Sequence, residues 1–535
     1  MRRDVRGLGD LVNVQRVVAV VGAVLLGGCP DTGIVCRAGT NRCGTGCADY
    51  SSDRRNCGGC GQACALGQVC QAAACVCQAG TSLCDGRCVV LETDPASCGA
   101  CGRACATGEV CERGACKAAC TAGISLRCGD SCVDATTDSM NCGACGATCQ
   151  AGQRCAGGVC GSDVVVACFS SGQVAGLSAS TFQRTPLASL GTAPAALAQM
   201  NGVLLAADGL DRRLNQADVP AGSVWRQLTG RAIATGAVPN QVVVDGAFAF
   251  VINAESGTVQ VVRRGEADGD AGLPLSTVQE LVLGPNTFPQ GAVKVGSSLW
   301  VPLYGGFGAA AADAGQGLVE IDVSTPASPR VANAVNLATL DLKPFDGGQP
   351  VPRPWAITAR GGQLYVALNN LDPDTYQPAG PGLLARVDPT TRAVQVIDLG
   401  ADACLNPQWV APFGDGLAVS CGGRATYTGQ NFVLASVDKA GLVVLDAQDR
   451  RVATWAPTPP SCGDAGACPL FLPGRFGVKG ERLFLADQNA GRLTVLERTD
   501  GGLVERRGPA MNDGLAVCPP NATSGVANVS DVLVP

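Results

Sequence analysis

From residue 163 to the C-terminus, apolar and polar residues alternate in short runs, and glycine, asparagine or aspartate interrupts them at frequent intervals. The recurring unit is a proline-containing approach, a short apolar strand, a glycine turn, a second strand, a polar turn and a third strand. One copy reads Pro354-Trp-Ala-Ile-Thr-Ala-Arg-Gly-Gly-Gln-Leu-Tyr-Val-Ala-Leu-Asn-Asn370, followed by Gly382-Leu-Leu-Ala-Arg-Val-Asp388. Other copies turn at Asn201-Gly202, Asp245-Gly246, Gly296-Ser297, Asp415-Gly416 and Lys479-Gly480. Residues that tolerate a positive φ, placed between period-two apolar runs, predict β-hairpins. Six full copies spaced about 40–65 residues apart predict a β-propeller. The ends supply a seventh blade. Val164–Leu190 offers strands without an innermost one, and Ala527–Val534 is a lone strand at the C-terminus. Pairing the two removes both exposed edges. The expected class is therefore all-β, a seven-bladed propeller over residues 163–535, with an array of β-sandwiches as the alternative.

Upstream the apolar pattern gives way to cysteine. Eight cysteines recur three times: Cys36, 43, 47, 57, 60, 64, 70 and 75; Cys77, 84, 88, 98, 101, 105, 111 and 116; Cys120, 128, 132, 142, 145, 149, 155 and 160. From the second cysteine onward the gaps in every block are three, nine, two, three, five and four residues. The repeats are 36–75, 77–116 and 120–160. Each spans about forty residues, too few for an independent apolar core, so covalent staples must replace packing. Asp53, Asp94 and Asp138 each stand four residues before a cysteine, and glycines such as Gly58 and Gly61 suit positions of positive φ. The competing reading is a zinc or iron–sulfur site, whose thiolates must stay reduced. The gaps do not match the ferredoxin run, and disulfides are the expectation. Their connectivity is open.

The first 28 residues carry Arg2, Arg3, Arg6 and Arg16 ahead of the uncharged run Val17–Gly28. That is the layout of a secretory signal peptide, with an apolar segment too short to span a bilayer. The run closes Leu26-Gly27-Gly28-Cys29 and resembles the bacterial lipobox. The resemblance implies cleavage before Cys29, acylation of that residue, and residues 29–35 as a tether. Asp4 and Asp10 in the front end depart from the pattern. Removing Cys29 from the 31 cysteines leaves 30, an even set. Outside the blocks, Cys168 in the first strand and Cys518 before the last are expected to pair across the ring closure. Cys404 with Cys421, and Cys462 with Cys468, are expected local bridges.

Composition narrows the chemistry. The net charge is −6, from 39 basic and 45 acidic residues, with no basic cluster after the signal. A nucleic-acid partner is not expected, because phosphate neutralisation needs a positive face. Histidine is absent, which removes the commonest general base and metal ligand. Asp322, Asp388, Asp438 and Asp446 follow third strands and read as turn residues. Glu266-Ala-Asp268-Gly-Asp270-Ala-Gly272 alternates oxygen ligands like a calcium loop, but its glycine is late and Thr277 stands where glutamate belongs. It reads as an acidic loop. Trp225, Trp300, Trp355, Trp409 and Trp455 recur once in each of five copies, chiefly as packing between blades, with one or two available to a ligand surface.

The string Cys-x-Asp-x3-Asp-x2-Asn-Cys-Gly-x-Cys-Gly-x2-Cys-x2-Gly-x2-Cys-x4-Cys, from Cys47 to Cys75 and again from Cys132 to Cys160, resembles the stigma-specific protein family of plants. The second block departs at Val90 and Ser97. The phrase Leu-Tyr-Val-Ala-Leu-Asn at 364–369 resembles the YVTN-type propeller family, which includes surface proteins and lactonase-like relatives. No residue-by-residue match to a lactonase channel set is present. The expectation is a non-enzymatic binding or adhesion protein, without metal or cofactor. It is lipid-anchored through Cys29 in the cell envelope of a bacterium, at the outer membrane, with its body in the periplasm or at the cell surface, and its partner is a protein or polysaccharide. A periplasmic lactonase-like hydrolase is the alternative.

Overall fold

The computed structural model describes residues 41–534 apart from short stretches, the longest being 219–225, 266–272, 307–316, 458–469 and 508–514. The signal segment, Cys29, the tether, Cys36, Trp225, the 266–272 loop, Cys462 and Cys468 lie outside the described residues. The chain divides into two compact units, one formed mainly by Ser162–Pro535 and the other holding the cysteine blocks.

In the larger unit seven antiparallel sheets follow one another, with no helix among the described residues. Blade 1 combines Val164–Cys168, Gln173–Leu177 and Ala188–Ser189 with the C-terminal strand Val529–Leu533. Blades 2 to 7 begin with inner strands at Pro194, Pro239, Val293, Pro354, Pro407 and Pro473. In blade 4 the proline, Pro289, lies just ahead of the strand and bridges Leu303. Proline fits the first position of a strand because the missing N–H would have had no ladder partner there.

The packing explains why alternation is blurred in the second strands. Gln363–Leu368 of blade 5 is buried from Leu364 onward. Leu364, Val366 and Leu368 join the core shared with blade 4, which includes Trp300. Tyr365 and Ala367 join the core shared with blade 6. Each face of a middle strand meets a neighbouring blade, so both registers are apolar. The outer strand Arg330–Asn336 is exposed along nearly its whole length. Seven such cores run between successive blades, and the last joins Phe484, Leu493 and Val495 of blade 7 to Val164, Val166 and Leu177 of blade 1. Each fully buried Leu, Val or Phe side chain contributes about 1.5–3 kcal/mol to this ring.

The ring closes through hydrogen bonding of Val529–Leu533 to Val164–Cys168. Cys168 is bonded to Cys518, which follows the last outer segment of blade 7, with Cα atoms 5.3 Å apart. Cys404, in the approach to blade 6, is bonded to Cys421 at the end of that blade's second strand. One assignment changes. Asp438 does not follow a third strand but ends an inserted hairpin, Arg424–Thr428 with Val433–Asp438. The third strand of blade 6 is Gly441–Leu445. An extra hairpin has the same local pattern as a blade strand, so periodicity alone misplaces it.

In the smaller unit short hairpins such as Gln68–Gln71 with Ala74–Cys77 are held by overlapping disulfides. The second block pairs Cys77–Cys88, Cys84–Cys101, Cys98–Cys111 and Cys105–Cys116. In order of cysteines this is first to third, second to fifth, fourth to seventh and sixth to eighth. The described bridges of the other blocks follow the same scheme, with Cys43–Cys60, Cys57–Cys70 and Cys64–Cys75 in the first, and Cys120–Cys132, Cys128–Cys145 and Cys142–Cys155 in the third.

The acidic and asparagine positions of the repeat are local ties. Asn56 donates to Asp53 (2.7 Å), and its carbonyl accepts from the Gly61 N–H (2.8 Å). Asn141 repeats this between Asp138 and Gly146. In the second block the shorter Ser97 receives Gly102 N–H at 3.4 Å. Gly58 has φ 77°, and a Cβ there would lie 2.7 Å from the Ala73 carbonyl oxygen.

Candidate functional site

The inner strands of the propeller share a local irregularity. Register shifts by a bulge right after the opening proline in blades 2, 3, 5, 6 and 7. A bulge turns the extra residue out of the ladder, a device found where a side chain must be re-aimed. The residues treated in this way include Ala195, Asn240, Trp355, Gln408 and the Gly474–Arg475 pair. The first residue of each inner strand pairs with the last of the second strand, as Pro354 does with Leu368 and Pro239 with Asn253. The approach loops and the loops leaving the second strands therefore lie at the same end of the ring.

At that end polar groups converge from distant parts of the chain. Asn240 donates to Gln290 Oε1 (2.7 Å), joining blades 3 and 4. Arg475 of blade 7 reaches the Asn240 carbonyl oxygen (2.6 Å), stacks 4.7 Å from the Trp409 ring centroid, and lies 3.5 Å from Asp531 of blade 1. Asp531 also accepts the Leu197 N–H (2.7 Å). Gln408 donates to Asn406 (2.9 Å), and Asn369 bonds both Asn406 and the Pro407 carbonyl. The rim is thus an alternation of amides, indole faces and one arginine–aspartate pair.

Beside it, next to the start of the blade 5 inner strand, sits Arg353. Its side chain is fully buried. Nη1 donates to the carbonyls of Tyr304 and Gly306, while Nε and Nη2 have no hydrogen-bond partner among the described residues. The guanidinium lies 4.9 Å from the Tyr304 ring and 5.5 Å from that of Tyr376. Tyr304 in turn meets Trp355 edge-on at 5.4 Å. Burial pushes the Tyr304 hydroxyl up to about 12. Neither Arg353 nor Arg475 stood out in the sequence. The available signal was their place beside an inner-strand proline, Arg353 directly before Pro354 and Arg475 two residues after Pro473.

Two buried carboxylates also escaped the sequence reading. Asp208 and Asp487 end the second strands of blades 2 and 7 in matching phrases, Leu-x-x-Ala-Asp. Asp208 accepts the N–H groups of Thr192 (2.6 Å) and Ala193 (3.1 Å), and Asp487 that of Leu472 (3.2 Å). Each pins the approach loop of its own blade. Desolvation pushes the Asp487 carboxyl up to about 6, against the pull of Arg492 and of the Asn489 and Leu472 amides.

The residues singled out earlier are distributed as follows. Asp322, Asp388 and Asp446 cap turns by accepting backbone N–H groups, at 2.9 Å from Ser324, 2.7 Å from Thr391 and 2.9 Å from Arg450. Trp300 is core, whereas Trp355 and Trp409 are half-buried on inner strands. Trp455 is on an outer strand and donates to Glu505 (3.2 Å). Thr277 is on the outer strand of blade 3 and takes a hydrogen bond from Gln260 (2.7 Å). The sulfurs of Cys57, Cys64 and Cys75, and of Cys98, Cys105 and Cys116, each cluster within 4.8 Å. They do so because two bridges stack, Cys57–Cys70 on Cys64–Cys75 and Cys98–Cys111 on Cys105–Cys116. Sulfurs spent in disulfides do not fit a thiolate metal site.

The class is now defined: an all-β protein in which a disulfide-laddered repeat segment precedes a seven-bladed propeller. Residues 74–119, which cover the second block, match the profile of the Stigma-specific STIG1-like protein family. No curated protein sequence matches the chain. Among solved structures it is similar to a candidate 6-phosphogluconolactonase from Bacteroides uniformis, at 14% identity over 69% of this chain and 98% of that one, with TM-score 0.47. A second candidate 6-phosphogluconolactonase, from Bacteroides fragilis, aligns at 12% identity over 64% and 93%, with TM-score 0.44. Apo AztD from Citrobacter koseri aligns at 14% identity over 64% and 93%, with TM-score 0.39. At these values the likenesses carry no argument about activity.

Proposed function

We propose that this is a non-enzymatic binding protein of the bacterial cell envelope, tethered through acylated Cys29, whose propeller rim engages a protein or polysaccharide. The observation that carries the reading is the rim itself. Asn240, Gln290, Gln408, Trp355, Trp409 and Arg475 supply amides, aromatic faces and a fixed cation, the groups that recognise polar ligands by hydrogen bonding and stacking. The disulfide ladder supports an oxidising compartment, and the three repeats act as a protease-resistant stalk.

Three measurements test this. Cys29→Ser is expected to move the protein from the membrane to the soluble fraction, and retention at the membrane would sink the anchor. The purified mature chain is expected to bind members of a glycan and envelope-protein panel, with Trp409→Ala and Arg475→Gln weakening binding. Lactone hydrolysis by the same preparation, abolished by Asp531→Asn, would instead support a hydrolase.

A further inference from the structure

We infer that Arg353 forms the floor of a carboxylate-binding subsite for an acidic sugar unit. The inference rests on the binding reading above and names the class of ligand. A guanidinium stays charged at any physiological pH, and burying it without a counter-ion is costly unless something compensates. Among the described residues Arg353, which is wholly buried, makes no ion pair, and its side chain hydrogen-bonds only from Nη1 to two carbonyls. The unpartnered Nε and Nη2 form one edge of the planar fork. That edge presents two parallel N–H donors, the geometry that receives both oxygens of a carboxylate.

The surroundings ask for the rest of such a ligand. Tyr304 and Tyr376 flank the guanidinium and exclude water from it. Nearby, Asn369 Oδ1, Asn370 Oδ1 and Gln377 Oε1 are buried acceptors without a donor among the described residues. They belong to the same corner, because the backbone N–H groups of Asn369 and Asn370 bond the carbonyls of Arg353 and Pro352. Acceptors without donors suit sugar hydroxyls. The backbone is held in the left-handed region at Asn370 (φ 56°) and Tyr376 (φ 56°), whereas Arg353 (φ 49°) shares that conformation with Val238, Phe288 and Asn406, which likewise precede the proline of their blades. Such conformations cost free energy and cluster where a site is pre-organised. Because Arg353 is covered, the ligand enters only when a half-buried neighbour such as Tyr376 moves.

The test is calorimetric titration of the mature chain with a galacturonate trisaccharide, a neutral galactose trisaccharide, inorganic phosphate and a short peptide with a free C-terminal carboxylate. The acidic trisaccharide is expected to bind at least tenfold more tightly than the other three. Arg353→Gln should weaken it roughly 10–100-fold, the value of a charge-assisted bidentate contact, and Arg353→Lys, which keeps the charge without the fork, should recover little. Thermal unfolding verifies that the variants fold. If Arg353→Gln does not fold, the wild-type preference and Arg353→Lys decide. Equal binding of the neutral sugar, preference for phosphate or peptide, or unchanged binding in the variants would overturn the subsite. Neutral-sugar or protein binding that depends on Trp409 and Arg475 but not on Arg353 would overturn it while leaving the binding function intact. No binding by any probe or panel member would remove both.

Discussion

Asp487 ends the second strand of blade 7 with no exposed surface, and its carboxyl ionises near 6 rather than at the ordinary 3.8 because burial penalises the charge. Between those values the folded chain keeps a proton that the unfolded chain has released. The stability this carboxyl contributes is therefore fully present below pH 3.8 and lost as pH rises through 6. The size is about 3 kcal/mol from the shift. Asp322 and Asp388 behave oppositely. Hydrogen bonds from their own turns hold both near 2, so their contribution is present above 3.8 and lost as pH falls through 2. Asp487→Asn removes the first effect alone. Between pH 4 and 7 the unfolding free energy of the native chain is expected to fall relative to this variant, by up to about 3 kcal/mol. Parallel curves would show that the carboxyl is solvated. Asp322 and Asp388 were legible as turn residues, since an aspartate after a strand accepts its own backbone amides. Asp487 was not, because the same residue type in the same local pattern becomes buried only once blade 7 meets its approach loop.

At the scale of elements, the cysteine repeat shows how far spacing reaches. Identical gaps predict one module repeated, and they leave connectivity open because eight cysteines pair in 105 ways. Short hairpins settle it. The hairpin Val110–Glu112 with Ala115–Lys117 sets Cys111 opposite Cys116, and each then bridges a different partner, Cys98 and Cys105. Peptide mapping of the non-reduced second block is expected to yield Cys77–Cys88, Cys84–Cys101, Cys98–Cys111 and Cys105–Cys116. Nested or sequential pairing would refute the ladder. Replacing Cys98 and Cys111 together by serine removes a bridge closing 13 residues. By chain entropy that costs about 3 kcal/mol, to be read as a loss of protease resistance in this block. Gly58→Ala places a side chain at φ 77° against the Ala73 carbonyl, and is expected to lower the yield of oxidative refolding.

For the whole molecule the closure of the ring is the decisive event. Val529–Leu533 completes a sheet begun more than three hundred residues earlier, and Cys168–Cys518 clasps the seam with a sequence separation of 350. The chain-entropy model assigns such a loop about 6 kcal/mol as an upper bound. The double variant Cys168→Ser, Cys518→Ser is expected to unfold at lower denaturant with a steeper slope, since the uncrosslinked unfolded chain exposes more surface, and proteolysis is expected to begin in the final strand. An unaltered midpoint would show that strand pairing and the apolar seam suffice. The closure was foreseeable in outline, because an incomplete first blade and a lone last strand leave two unpaired edges. The inserted hairpin of blade 6 was not, since nothing local separates it from a blade strand.

What the sequence determined by itself is whatever depends on near neighbours along the chain: turn residues between apolar runs, prolines at strand starts, and cysteines at fixed gaps. These specify hairpins, and repetition of hairpins specifies blades and modules. The tertiary structure alone decided which residues meet. Arg475 and Asn240 are 235 positions apart and share a hydrogen bond at the rim, and Arg353 lies between Tyr304 and Tyr376 from two different blades. Seven inner strands converge on one channel, so a residue's partners there come from every blade, and short-range pattern carries no record of them.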